Sequence, residues 1–216
     1  MSPKFLEDNQ VCFLNQSVIF DSSSDWNDPF CEKLWLYNLH YFDDLNAIES
    51  LSRRDTQHNF VNRWIAENPP VSGNGWEPYT LSLRLVNWIK WYRRAEIEDK
   101  AILISISQQS EALVKQLEYH IFGNHLFANA KALVFVGCFF HSSTSDKYLK
   151  IGLDILEKEV EEQFLSDGGH FELSPMYHII LLWDLLDLIN LALITDNLIA
   201  SNIVENWKCV AEKALY

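Results

Sequence analysis

The run of twelve residues from Asp167 to His178 concentrates side chains that can do chemistry. Tyr177 and His178 can both take part in proton transfer, and His170 and Glu172 lie in the same run. Two glycines and a proline predict a turn that leads into a helix, and such loops commonly carry functional groups on a rigid scaffold. We interpret the run as a candidate site, with a purely structural polar network as the alternative.

A second cluster surrounds Asn124 and His125, directly before a predicted helix over about residues 125–140. An asparagine at this position often serves only as a helix cap. An amide beside the free backbone N–H groups of a helix start can equally bind a carboxylate. We therefore expect Asn124 and His125 either to cap the helix or to bind an anion.

Two aromatic clusters, residues 34–42 and 73–79, complete the set of candidates. Aromatic faces can stack on sugar rings, and an arginine downstream could pair with a carboxylate through its fork of donors. The alternative is a buried anchor with a hydrogen-bonded histidine, followed by a simple turn. The candidate substrate-contacting residues in these clusters are Trp35, Tyr37, His40, Tyr41, Trp76 and Arg84.

Several other chemistries lack support in the sequence. The residues Asp167, His170 and Glu172 do not show a known metal-ligand spacing, and no two cysteines lie at CxxC distance. No phosphate-binding glycine loop, GxSxG elbow or HExxH motif is present. We therefore expect no metal and no cofactor in this chain, and no serine or cysteine nucleophile.

Charge narrows the classes of partner. The 216 residues include 17 Lys and Arg against 30 Asp and Glu, a formal net charge of −13. This balance argues against sequence-independent nucleic-acid binding and against a basic membrane patch, but not against an anionic substrate in a locally basic cleft.

The apolar stretch 179–194 is interrupted by Asp184, Asp187 and Asn190, so it predicts a buried amphipathic helix and no membrane span. The N-terminal residues show no signal-peptide pattern, and the sequence does not indicate a localisation.

Helical periodicity dominates the chain after an N-terminal arm. Residues 1–33 are predicted to be irregular, and residues 34–216 to form one helical domain without convincing strand alternation. Antiparallel helix pairs of this kind can form a bundle, a solenoid or a toroid, and periodicity does not choose among them. The predicted helices cover about residues 45–52, 59–67, 78–92, 99–120, 125–140, 146–165 and 197–215, and a very apolar helix follows residue 177 and ends at about residue 193.

Four motifs, in this order, resemble the helical domain of the heparinase II/III-like polysaccharide lyases: LWLYNLHYFDDL, GNGWEPYTLSLRLVNW, GNHLFANAKAL and DGGHFELSPMYH. The resemblance runs from about residue 25 to residue 193. It implies an all-α fold, an incomplete (α/α) toroid built from antiparallel helix hairpins. In the family this toroid is followed by an antiparallel β-sandwich domain.

The resemblance also implies β-elimination on a uronic acid. Asn124, with His125, would neutralise the uronate carboxylate, and Tyr177 would pass a proton to the leaving oxygen. A phenol ordinarily titrates near about pH 10, so Tyr177 would need a nearby cation such as His178 or Arg84 to act as a base. His170, Glu172 and the six residues of the aromatic clusters would line the sugar cleft.

The family's β-sandwich domain carries further catalytic histidines and sometimes a metal, and this sequence ends at Tyr216 before any such domain. We therefore expect a piece of a longer lyase that is incomplete alone, with its partner domain in the same or a neighbouring chain. Relatives that degrade external glycans are exported. The glycan itself is not identified.

Two alternatives stay open. The first is a non-catalytic, glycan-binding module linked to surface-polysaccharide (capsule or O-antigen) metabolism. The second is a helical-toroid glycoside hydrolase using two carboxylates among Glu77, Asp167 and Glu172, separated by roughly 5–10 Å.

Overall fold

The computed structural model describes residues 2–5, 10–121, 123–195 and 198–215, which form two compact units, residues 1–116 and 117–216. The first unit contains β1 (Gln10–Phe13), β2 (Gln16–Ile19), α1 (Lys33–Tyr41), α2 (Arg54–Glu67), α3 (Pro78–Arg94) and α4 (Lys100–Val114). The second contains α5 (Asn124–Phe139), α6 (Ser143–Gln163), α7 (Pro175–Ile194) and α8 (Ser201–Ala214). The predicted all-α class is confirmed. Three predicted bounds lie outside the described residues: the domain ends at residues 1 and 216 and the helix start at Asn197.

The N-terminal arm is more regular than its sequence indicates. Strands β1 and β2 pair antiparallel, with Gln10 opposite Ile19, and two residues with positive φ, Leu14 and Asn15, form the turn. Two consecutive positive φ values suit a tight hairpin, but the usual Asn-Gly or Asp-Gly signal is absent. Strands of four residues without that signal leave too little pattern to predict. The indole N–H of Trp35 donates to the Gln16 carbonyl at 3.3 Å.

One predicted helix is wrong. Residues 45–52 do not form an α-helix; two short 3-10 turns cover residues 43–46 and 50–53. Phe42 and Glu49 adopt the left-handed conformation, with φ of 59° and 57°, and each interrupts the helical path of the backbone. Elsewhere the predicted helices exist with shifted bounds. The largest shift is in α4, which ends at Val114 and not near residue 120.

A buried arginine holds the core of the first unit together. The fully buried Arg84 donates to Gln109 Oε1 at 2.8 Å, to the His40 carbonyl at 3.2 Å and to the Gly75 carbonyl at 2.6 Å. Its guanidinium also lies 3.9 Å from the ring centre of Trp64. Burial lowers the pKa of Arg84 well below its ordinary value. These contacts join α1, α3, α4 and the turn that carries Gly75.

His40 is a structural histidine in a defined neutral state. Its Nε2–H donates to the Trp26 carbonyl at 2.9 Å, and its Nδ1 accepts from the indole N–H of Trp64 at 3.0 Å. A second proton on Nδ1 would face a donor, so the charged ring does not fit. Burial, with the nearby charge of Arg84, lowers the pKa of His40 to about 3. The ring also needs Gly75, because a Cβ there would lie 2.6 Å from Nδ1.

The second unit is organised around α5, which is buried on almost all sides and packs on α6 and α7. Lys131 of α5 is buried and reaches Asp184 and Asp187 of α7, with each Nζ–Oδ distance 2.7 Å. Burial alone would lower the pKa of Lys131, but the two carboxylates outweigh it and raise that pKa above its ordinary value. The two aspartates that interrupt the apolar stretch are thus salt-bridge partners of the buried lysine.

Helix α7 buries one face only, which corrects the prediction of a buried helix. Ile179 and Trp183 are 63% and 64% exposed, whereas Leu181, Leu185 and Leu188 are buried. Among the described residues, α7 has the length and apolar composition that a membrane span requires, and 33% of that apolar window is buried. A core helix of a soluble protein meets the same criteria, so the predicted lack of a membrane span stays a prediction.

The buried Lys131 gives a stability prediction. We expect Lys131→Met to lower the free energy of unfolding by about 3–5 kcal/mol, because two buried carboxylates lose their counter-charge. The matched control is Lys150→Met, which breaks an exposed pair with Asp154 and should cost less than about 0.5 kcal/mol. Urea unfolding followed by circular dichroism measures both. Equal costs for the two variants would contradict this account.

The buried His40 predicts a pH dependence. Its pKa is lower in the folded state than the ordinary value of 6.5, so the unfolded chain binds the extra proton. The contribution of neutral His40 to the free energy of unfolding is fully present above about pH 6.5. It falls by about 1.4 kcal/mol per pH unit as the pH drops towards 3. Unfolding followed by tryptophan fluorescence at several pH values tests this, because six of the eight tryptophans lie in the first unit. His40→Gln should flatten the slope, and an unchanged slope would exclude His40 as its source.

Candidate functional site

The loop between α6 and α7 presents the candidate residues of the last motif. An antiparallel bridge pairs Phe164 with His170, and the backbone N–H of Leu165 donates to the Gly169 carbonyl at 2.8 Å. Helix α7 then begins with Pro175, and the Ser174 hydroxyl accepts from the backbone N–H of Tyr177. The tight loop therefore buries His170 and sets Tyr177 in the first turn of α7.

Gln163, at the end of α6, links this loop to the start of α5. Its amide donates to the Gly123 carbonyl at 2.7 Å, and its Oε1 accepts from Nε2 of His170 at 3.3 Å. Nδ1 of His170 accepts from the backbone N–H of Glu172, so the ring is held as one neutral tautomer. Burial lowers the pKa of His170; Glu172 opposes this shift and His178 adds to it. The ring centres of His170 and Tyr177 are 6.2 Å apart.

Helical register relates Asn124 and Tyr177 to a contact between α5 and α7. Lys131 follows Asn124 by seven residues (131 − 124), and Asp184 follows Tyr177 by seven residues (184 − 177). Seven residues are almost two full turns, so each pair shares one helix face. Because Lys131 and Asp184 are in contact, this register predicts that Asn124 and Tyr177 lie on the faces of α5 and α7 that meet each other.

Asn124 is the first residue of α5, and the residue before it, Gly123, occupies the capping position with φ of 98°. The predicted role of Asn124 as the cap is therefore displaced by one residue. The Glu172 carboxylate approaches this helix start so closely that a Cβ on Gly123 would lie 2.8 Å from its Oε1. An acidic group at a helix N-terminus is electrostatically favourable.

His125 has a partner, Glu118, that the sequence analysis does not identify. Its Nδ1 lies 2.9 Å from Oε1 of Glu118, and the other oxygen of Glu118 accepts from the Asn129 amide at 3.1 Å. His125 and Asn129 are four residues apart, which places both on one face of α5 and could have indicated a shared partner. Glu118 lies in the loop before α5, where no periodicity marks it.

His178 contributes to packing. Its Nε2 donates to the Ala214 carbonyl at 2.9 Å, at the end of α8. The same helix end meets the site loop at Gly168, where φ is 90° and a Cβ would overlap the backbone of Lys213. The last turn of α8 therefore supports both the loop and the first turn of α7.

The aromatic-cluster candidates lie in the first unit and are mostly core residues. Those that are buried are Trp35, His40, Tyr41, Trp76 and Arg84. The donors of Arg84 are committed to carbonyl and amide oxygens, so this side chain is not available as a surface carboxylate-binding group. Tyr37 is half-buried, hydrogen-bonded to Glu77, with Lys33 above its ring. The burial favours the alternative of a buried anchor, and contact of these residues with a sugar stays a prediction.

A cavity of about 120 Å³ adjoins the start of α5 in the second unit. Its lining combines two aromatic side chains with acidic and amide groups: Tyr119, Gly123, Glu159, Glu162, Gln163 and Phe171. Burial raises the pKa of Glu159, and Glu162 adds to the effect. No group of three or more metal-ligating side chains occurs within the part of the chain that the structure describes.

Comparison with known proteins identifies the family. The family model described as "Heparinase II/III N-terminus" matches residues 56–215. The chain belongs to the heparinase II/III family. A heparin-sulfate lyase of Bacteroides thetaiotaomicron is 28% identical over 167 residues, which cover 71% of this chain and 24% of that enzyme. The chain therefore matches about a quarter of the length of this relative.

Solved structures agree on the fold. A heparan sulfate lyase mutant from Pedobacter heparinus has a TM-score of 0.68, with 18% identity over 96% of this chain and 36% of its own. A heparinase III has a TM-score of 0.67, with 22% identity over 88% of this chain and 31% of its own. The predicted fold, the helical toroid of the heparinases, and membership of their polysaccharide lyase family are confirmed.

The contact between the site loop and α8 predicts opposite outcomes for adjacent glycines. Gly168→Ala should lower the free energy of unfolding by at least about 2 kcal/mol, because it adds strain at positive φ and overlaps the Lys213 backbone. Gly169→Ala should change it by less than about 1 kcal/mol, since a Cβ there meets only the Asp167 side chain. Denaturant unfolding of both variants measures the difference. Equal tolerance of the two substitutions would exclude the close approach.

Proposed function

We propose that this chain is the helical domain of a polysaccharide lyase that cleaves uronic-acid-containing glycans by β-elimination. The observation that carries the proposal is the pairing of two features: membership of the heparinase II/III family, and the register that predicts Asn124 and Tyr177 on the faces of α5 and α7 that meet each other. The first supplies the class of reaction. The second supports a shared site for the two side chains that the class requires.

The first task is to make the C5 proton of the uronate acidic. Its removal places negative charge on the adjacent carboxylate, so donors aimed at that carboxylate lower the barrier. Asn124 stands in the first turn of α5, where backbone N–H groups and the helix dipole favour an anion. In the proposal the Asn124 amide and His125 bind the uronate carboxylate together.

The second task is proton transfer at the scissile bond. The C5–H bond breaks and its electron pair forms the C4=C5 double bond while the C4–O4 bond breaks. Tyr177 delivers a proton to O4 of the leaving sugar and accepts the C5 proton, so the reaction is balanced without any oxidant or added water. His170, held neutral beside Tyr177, and Glu172, whose carboxylate lies close to the start of α5, line the sugar site in this proposal.

Heparan sulfate is the first glycan to test, because a relative aligned over 71% of this chain is named a heparin-sulfate lyase. The proposal requires no metal or cofactor from this chain. It assigns further catalytic groups to a β-sandwich domain in the same or a neighbouring chain. Export to the periplasm or beyond would fit an external glycan. These statements rest on the family.

Elimination leaves a double bond conjugated with the carboxylate, so ultraviolet absorbance measures turnover directly. With the intact protein on heparan sulfate and on other uronate glycans, we expect new absorbance. Tyr177→Phe should reduce the rate by about 10²–10⁴-fold, and Asn124→Ala by about 10²–10³-fold, with folding intact by circular dichroism. Tyr148→Phe on α6 is the matched control and should retain activity.

The possible outcomes separate the proposal from its alternatives. Unchanged turnover in Tyr177→Phe would remove this residue from the mechanism. Cleavage to saturated products without the chromophore would indicate a hydrolase. Glycan binding without cleavage would favour the non-catalytic module.

A further inference from the structure

We propose that Glu118 is a positioning residue for the lyase reaction, acting through His125; this inference rests on the proposed function. Glu118 is 6% exposed, and both of its carboxylate oxygens are engaged, one by His125 and one by Asn129. A buried charge is costly unless it is paired, so its presence behind a candidate anion-binding histidine calls for a function.

The polar geometry determines how Glu118 holds the imidazole. Asn129 Oδ1 accepts from the backbone N–H of Glu118 at 2.9 Å, so the Asn129 amide must direct its Nδ2 donor to the Glu118 carboxylate. The remaining oxygen of Glu118 then faces Nδ1 of His125 at 2.9 Å. A carboxylate can only accept, so Nδ1 carries a proton. Contact with a substrate carboxylate is then made by Nε2.

The consequence is a charge arrangement suited to the transition state. With Nδ1–H directed at Glu118, a ring that also carries a proton on Nε2 lies between two carboxylates, that of Glu118 and that of the uronate. The negative charge on the uronate grows as the C5 proton leaves, so this charged donor acts more strongly in the transition state than in the ground state. Glu118 thereby orients His125 so that, in a ring carrying both protons, Nδ1–H points to Glu118 and Nε2–H to the uronate.

The substitution Glu118→Gln tests this geometry sharply. The side chain of a glutamine has only one oxygen, and the fixed Nδ2 donor of Asn129 would hydrogen-bond to that oxygen. The new amide N–H₂ then faces Nδ1 of His125, which must become an acceptor, and the proton moves to Nε2. We expect ¹⁵N spectra of histidine-labelled protein at mildly alkaline pH to show the Nδ1–H tautomer in the wild type and the Nε2–H tautomer in this variant. The His125 signals are assigned by their loss in His125→Gln.

A compensating variant makes the test reversible. In Glu118→Gln/Asn129→Asp the carboxylate moves to position 129, where it accepts from both the backbone N–H and the glutamine amide. The glutamine oxygen then faces His125 again, so the Nδ1–H tautomer should return. The matched control is Glu205→Gln, which removes a carboxylate from an exposed pair with Lys208 and should leave the spectrum unchanged.

Kinetics complete the test. We expect Glu118→Gln to lower kcat about 10–100-fold with KM changed less than about threefold, because a charge felt mainly in the transition state is lost. An unaltered His125 tautomer in Glu118→Gln, or full activity despite the altered tautomer, would overturn the positioning role. If the wild type yields no unsaturated product from any uronate glycan, the proposed function fails, while the spectra still decide whether Glu118 sets the state of His125.

Discussion

A positive charge inside an apolar core must be surrounded by acceptors, and each unit of this protein meets that requirement for one cation. In the first unit Arg84 finds neutral oxygens and an indole face. In the second, Lys131 finds two carboxylates. In both cases acceptors lie on elements other than the cation's own helix, so satisfying each cation fixes how those elements lie against that helix. The rest of each unit is arranged around that constraint.

In the second unit this constraint reaches the candidate site. The contact between Lys131 and Asp184 sets the register of α5 against α7, and the first turns of the same helices carry Asn124 and Tyr177. Gln163 provides a second connection at the level of the site itself. The Lys131–Asp184 contact and the hydrogen bonds of Gln163 are two fixed points about two helical turns apart. Together they hold the two helix starts more firmly than a loop alone could. Rigid placement of this kind is what catalysis by orientation requires.

The sequence carries much of this organisation, but unevenly. Helical periodicity marks every long helix, and the resemblance of the motifs to a known family is what points to Asn124 and Tyr177. Periodicity cannot separate an aromatic core from an aromatic cleft, so it does not predict that Trp35 and Trp76 are buried. The sequence does not mark Glu118 and Gln163 as site residues, because their roles depend on hydrogen bonds to residues that the fold brings close to them.

The exposed apolar face of α7 has a consequence for how the protein behaves in solution. Bare hydrophobic surface favours association between molecules, whereas the net charge of −13 makes each molecule repel the next. Salt shortens the range of that repulsion and leaves the hydrophobic attraction in place. Colloidal stability is therefore set by ionic strength: dilute buffer keeps the molecules apart, and concentrated salt brings these helix faces together.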